Sequence, residues 1–187
     1  MLFYVKRYIW LDLIVTALLG GVGCYGIHFF SIPIKLSFEP VNILLGIISF
    51  LILTAWTFFL QWGYAQIRGR AYAKELTESL GKEYSDAWIF QAFFGGVTAA
   101  FGEELFFRGF IQGKWGLLAG AIAFGLGHIG KKEIRVISYW SFAHGFWLGL
   151  FYYYSGDLLV PMIAHGLFDL GGILYFRLIM EGKLTTL

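Results

Sequence analysis

Glu103, Glu104, Arg108, His128, His144, His165 and Asp169 are acid–base side chains set inside long apolar runs. A charged side chain in a bilayer interior costs several kcal/mol, so such residues mark a paired interior or a functional site. Their spacing limits which can meet. Residues four apart share a helical face, whereas adjacent ones point about 100° apart. Glu104 and Arg108 are therefore expected to neutralise each other as an intrahelical ion pair, a structural role. Glu103 points elsewhere, without that partner. A carboxylate held among apolar groups keeps its proton more tightly than in water, as a general base requires. His165 and Asp169 share a face by the same rule.

Two chemistries fit Glu103, His128, His165 and Asp169 if they line one cavity. In the first, Glu103 and His128 activate a water that attacks a peptide carbonyl, while His165 and Asp169 stabilise the oxyanion. In the second, His128, His165 and a carboxylate (Glu103 or Asp169) hold a divalent metal, zinc first, with an open position for water. Spacing does not separate the two. His28 and His144 are read as hydrogen-bonded interior residues. Glycines near these positions (Gly95, Gly96, Gly102, Gly109, Gly125, Gly127 and Gly166) are read as close-packing sites between helices.

The elements that would position these groups follow from composition. The chain has 187 residues, 58% hydrophobic, 20% aromatic and only 14% charged, with a net charge of +2. Soluble domains carry roughly 25% charged residues, so this chain cannot clothe a water-exposed surface. The same numbers exclude disorder, and +2 makes no basic footprint for nucleic acid. One cysteine, Cys24, allows neither an internal disulfide nor a Cys-based zinc cluster.

A membrane span needs about 20 mostly apolar residues. Six runs qualify: 8–30, 41–63, 88–111, 115–129, 136–154 and 158–180. The expected fold is an all-α, polytopic membrane helix bundle of one domain. It has two accessory spans (8–63), an amphipathic interfacial helix (66–86) and a four-helix core (88–180). In the interfacial helix Tyr72, Leu76 and Leu80 fall on one face. The run 8–30 is too long for a signal-peptide core and is read as a retained anchor.

With the N-terminus inside, the inner loops hold Lys6, Arg7, Arg68, Arg70, Lys74, Lys82, Lys131, Lys132, Arg135, Arg177 and Lys183, and the outer loops only Lys35 and Lys114. That bias places both termini in the cytoplasm. Counting ~1.5 Å per residue, Glu103 and His165 lie ~22 and ~20 Å from the inner face, but His128 only ~10 Å. Either the third or fourth span has other bounds than these, or one helix is broken, tilted or begins deeper.

Three motifs stand in order along the chain: EExxxR (Glu103, Glu104, Arg108), FxxxH (Phe124, His128) and HxxxD (His165, Asp169). Together they resemble the CPBP family of CAAX proteases and bacteriocin-processing enzymes, also called the Abi family, which includes the type II CAAX prenyl endopeptidases. The resemblance covers roughly residues 93–175. It implies an intramembrane endopeptidase of the bacterial plasma membrane, with membrane lipid and a peptide or protein tail as partners. It assigns water activation to Glu103 and the family's histidines to His128 and His165. The final family position is most often Asn and is Asp169 here. An Asn donates to an oxyanion but an ionised Asp cannot. Asp169 is thus protonated, or orients His165, or binds metal. The family has been described both as metal-dependent and as glutamate-dependent. The competing classes are a proton-coupled transporter and a non-catalytic immunity protein.

Overall fold

The computed structural model describes residues 2–71, 74, 77–78, 89–129 and 135–184. The described residues form helices and no strand. Helix α1 spans Leu2–Phe29 and α2 spans Pro40–Arg68. Helix α3 spans Ile89–Glu104 and runs directly into a π-helical segment, Leu105–Gln112, followed by the single turn α4, Gly113–Trp115. Then come α5 (Leu117–Gly127), α6 (Arg135–Ser155) and α7 (Leu159–Met180). Tyr72, Leu76 and Leu80, on which the interfacial-helix expectation rests, lie outside the described residues.

Local chemistry explains the helix ends. At the end of α1, Ile32 N–H donates to Ile27 O (2.9 Å) and Ser31 N–H to His28 O (3.1 Å), with Ser31 at φ 51°. This is a Schellman stop, and Ile32 packs back on Ile27 as that motif favours. Pro33 follows, and Pro40 opens α2 where its missing N–H costs nothing.

Helices α2 and α7 are long and apolar enough to cross a bilayer, judged by length and composition. Large apolar side chains cover the exposed faces of α1 and α2, among them Leu18, Phe29, Leu44, Leu51 and Trp62, as expected where lipid is the surroundings. The expected fourth span is corrected. Helix α5 has 11 residues, about 16 Å at ~1.5 Å per residue, half of a ~30 Å core. The third run is longer than expected, extending unbroken from Ile89 to Trp115. His28, read as an interior residue, is exposed. It sits in the last turn of α1, where an imidazole can meet both the free helix carbonyls and the polar boundary.

Helix α1 packs on α3 and the π segment, and α2 packs on α7 and α6. Helix α7 lies against α3, and α5 pairs with α6 and the π segment. Glycine sets the closest approach. A Cβ on Gly23 would stand 2.9 Å from the Leu105 backbone, and one on Gly102 would stand 2.7 Å from Thr16 O. Backbone cannot yield as a side-chain tip can, so Gly23→Ala is expected to lower stability by about 1–3 kcal/mol. Thermal unfolding in detergent checks this; an unchanged midpoint would show that α1 is not seated on the π segment. The packing role expected for Gly96, Gly102, Gly109, Gly125 and Gly166 agrees with their close neighbours.

A polar clasp joins the loop before α2 to the turn before α7. The fully buried Asp157 carboxylate accepts from Ser37 Oγ (2.6 Å), Asn42 Nδ2 (3.0 Å), Leu159 N–H (3.0 Å) and Ser37 N–H (3.1 Å). Lys35 Nζ stands 3.9 Å away, and Leu158 N–H donates to Lys35 O at 2.9 Å. Burial alone would push this carboxyl up. The bonds from Ser37 and Leu159 and the Lys35 charge outweigh it and hold the group below its usual range.

A depressed folded-state value stabilises the fold above the unfolded value, near 4, and the gain is lost as pH falls below it. Asp157→Ala removes this acid dependence and strands the Ser37 and Asn42 donors, at an expected cost of about 2–4 kcal/mol. Unfolding midpoints at pH 7 and pH 3 check it: the gap between wild type and variant should be smaller at pH 3 than at pH 7.

Candidate active site

Glu103 and Glu104 are the last two residues of α3, where the backbone loosens into the π segment. Single π turns inside α-helices recur at functional sites. Here the wider turn sets Arg108 and Gln112, four apart, against α6. Arg108 Nη2 donates to Gly145 O (3.2 Å) and Gln112 Nε2 to Gly149 O (2.9 Å).

Glu104 and Arg108 are both fully buried and pair at 2.9 Å, as their spacing predicts. The same Glu104 oxygen also receives His165 Nδ1 at 2.7 Å. A carboxylate only accepts, so Nδ1 carries the proton. On its other side His165 faces Asp169, with Nε2 and Oδ2 at 3.4 Å. Thus α3 and α7 are joined through one carboxylate. The Arg108 guanidinium also lies 4.5 Å from the Phe124 ring centroid on α5, a cation–π distance.

Phe124 brings α5 into the site. Its ring centroid is 4.5 Å from that of His128 and 5.6 Å from that of His165. His128 caps the C-terminus of α5, and its Nδ1 lies 2.8 Å from Phe124 O. A carbonyl only accepts, so Nδ1 is the donor in that bond. Glu103 is half-buried, and its Oε2 is buried without a hydrogen-bond partner. Of these residues, His165 has the distance that fixes Asp169 in the site, Nε2 to Oδ2 at 3.4 Å. The depth conflict is resolved by the short α5. Measured back from the α4–α5 turn, His128 lies ~16 Å along α5 and Glu103 ~18 Å along the third helix.

Two connections were not legible in the sequence. The Glu104–His165 bond spans 61 positions, and spacing had paired Glu104 only with Arg108. The role of Phe124, touching Arg108, His128 and His165, had no signal beyond its place four residues before His128. His144, read as a hydrogen-bonded interior residue, has its Nε2 2.8 Å from Thr57 Oγ1 on α2.

The donor set was also expected to suit a metal. Among the described residues no three His, Cys, Asp or Glu side chains are arranged to hold one ion. His165 Nδ1 is committed to Glu104, and its Nε2 faces Asp169 at 3.4 Å. As arranged, Glu103, His128, His165 and Asp169 do not fit a three-ligand metal centre.

A family model described as Type II CAAX prenyl endopeptidase Rce1-like matches residues 85–171. The uncharacterized protein YpbD of Bacillus subtilis (strain 168) is 37% identical over 78 residues, 39% of this chain. The chain spans about two fifths (39%) of that relative's length. No solved structure matches. The matched segment holds all three motifs and every side chain of the network around Glu104. Over residues 85–171 this chain is similar to the Rce1-like type II CAAX prenyl endopeptidases.

Proposed function

We propose that this protein is an intramembrane endopeptidase that hydrolyses a peptide bond of a membrane-associated peptide or protein with a Glu103-activated water. The observation that carries the reading is the contrast between adjacent carboxylates. Glu104 is held through Oε1 by both Arg108 Nη1 and His165 Nδ1, its Oε2 being buried without a protein donor, whereas the buried Oε2 of half-buried Glu103 lies beside the same network with no protein donor on it. A carboxylate held without a partner is available to take a proton.

Glu103 accepts one proton of the water and His128 Nε2 orients it through its lone pair. The water oxygen bonds to the carbonyl carbon, and the C=O electron pair moves onto oxygen. The proton held between His165 Nε2 and Asp169 Oδ2 faces that oxyanion and donates to it. This is how an acidic residue serves where the family most often has Asn: the pair supplies the donor that an ionised Asp lacks. As the intermediate collapses, the C–N bond breaks and Glu103-H returns its proton to the leaving amine. Glu104 and Arg108 hold His165 in place and do not touch substrate. The substrate class carried over from the family description is a peptide tail bearing a prenylated cysteine, and the expected site of action is the bacterial plasma membrane.

The test is purified protein in detergent with a quenched-fluorescence peptide ending in a prenylated cysteine and three further residues, assayed with and without chelator. Turnover is expected in both. Turnover lost on chelation and restored by zinc would move the chemistry to a metal centre at His128, His165 and Asp169 or Glu103. Flux of a solute driven by a pH gradient, with no cleavage of any peptide, would replace the peptidase by a transporter.

A further inference from the structure

Helix α2 lies outside the matched segment, yet its Thr57 meets His144 on α6, the residue before Gly145, whose carbonyl accepts from Arg108 Nη2 at 3.2 Å. Thr57 Oγ1 donates to Leu53 O at 2.8 Å, which uses its one proton. Its oxygen therefore accepts from His144 Nε2, 2.8 Å away. The neutral His144 ring is fixed with its proton on Nε2 and a lone pair on Nδ1. The two ring nitrogens point in nearly opposite directions, so Nδ1 faces away from α2. The His144 ring lies 4.9 Å from the Phe168 ring on α7, next to Asp169 in sequence. A Cβ on the neighbouring Gly145 would stand 2.9 Å from Phe124 Cβ, so this turn of α6 packs on the residue that touches Arg108, His128 and His165. His144 is half-buried. Among the described residues no donor is bonded to Nδ1.

We propose that His144 is a substrate-binding residue whose Nδ1 accepts a hydrogen bond from a backbone N–H of an extended peptide, with Thr57 as the positioning residue that holds the tautomer. The inference rests on the peptidase reading. A peptide must be unwound for attack on its carbonyl, and at bilayer depth no water satisfies the N–H groups this frees. The site needs a neutral acceptor for them. Glu104 is committed to Arg108 and His165, and Glu103 and Asp169 are committed to protons of the reaction. His144 is the imidazole left for the task.

The experiment uses the full chain in detergent and the cleaved prenylated peptide, remade with single backbone amides replaced by esters. One ester position is expected to raise KM about tenfold in wild type, the worth of one buried hydrogen bond. That penalty should fall below about twofold in His144→Phe, which keeps a flat ring without the acceptor. Thr57→Val should behave like His144→Phe, and Thr57→Ser like wild type. No ester position whose penalty depends on residue 144 would overturn the proposal.

Imidazole 15N shifts give a readout that needs no turnover. They should report Nε2–H at His144 in wild type and a tautomer mixture in Thr57→Val. A tautomer indifferent to Thr57→Val overturns the proposal alone. A protein with the expected tautomer that cleaves no peptide overturns the peptidase reading beneath it.

Discussion

Glu103→Gln is expected to lower kcat/KM by about 10²–10⁴-fold, the range a positioned general base contributes, while leaving the unfolding midpoint unchanged. Gln is nearly isosteric with Glu and cannot take the water's proton. The fold does not lean on the charge being replaced, because Glu103 Oε2 has no hydrogen-bond partner. Steady-state cleavage and thermal unfolding of the same preparation separate the two effects. Full activity in the variant removes Glu103 from the mechanism. Lost activity together with a lost fold would show that the carboxylate is structural.

The neighbouring carboxylate should behave in the opposite way. Glu104→Ala leaves the Arg108 guanidinium fully buried, with Gly145 O as an acceptor and the Phe124 face beside it. Removing one partner of a buried ion pair costs about 3–5 kcal/mol, since the other charge stays desolvated. His165 loses its Nδ1 acceptor in the same step. Poor folding is therefore expected, read as a lowered unfolding midpoint and a lower yield of monodisperse protein. The double variant Glu104→Leu/Arg108→Leu buries no charge and should regain much of that stability without regaining cleavage, because His165 is no longer held. A Glu104→Ala protein as stable as wild type would mean that the trio of Glu104, Arg108 and His165 does not hold α3 to α7.

This contrast between adjacent residues shows how far the sequence could be read. Glu103 and Glu104 are chemically identical, and helical geometry alone assigned them different neighbours. The assignment of Arg108 to Glu104 agrees with the observed ion pair, and that of Asp169 to His165 with the observed 3.4 Å approach. Both pairs are four residues apart on one helix. The membrane character was equally plain, since charge is too scarce to face water.

The expected fourth span was not observed, because apolar composition marks a helix without marking how far it crosses. Helix α5 is apolar throughout and still only half a span long. The interior reading of His28 failed for a related reason. In a lipid-exposed helix an apolar neighbourhood in sequence does not imply a buried one in space.

The amino-acid sequence by itself determined the helical class, the lipid-facing composition and the pairs Glu104–Arg108 and His165–Asp169 within one helical turn, because a regular backbone fixes the direction of side chains three and four residues apart. The tertiary structure alone decided that Glu104 reaches His165, that Phe124 stands among Arg108, His128 and His165, and that Thr57 sets the proton on His144. Those contacts join helices far apart in the chain. They depend on a π turn, a half-length helix and glycine-lined approaches, whose combined geometry no local repeat encodes.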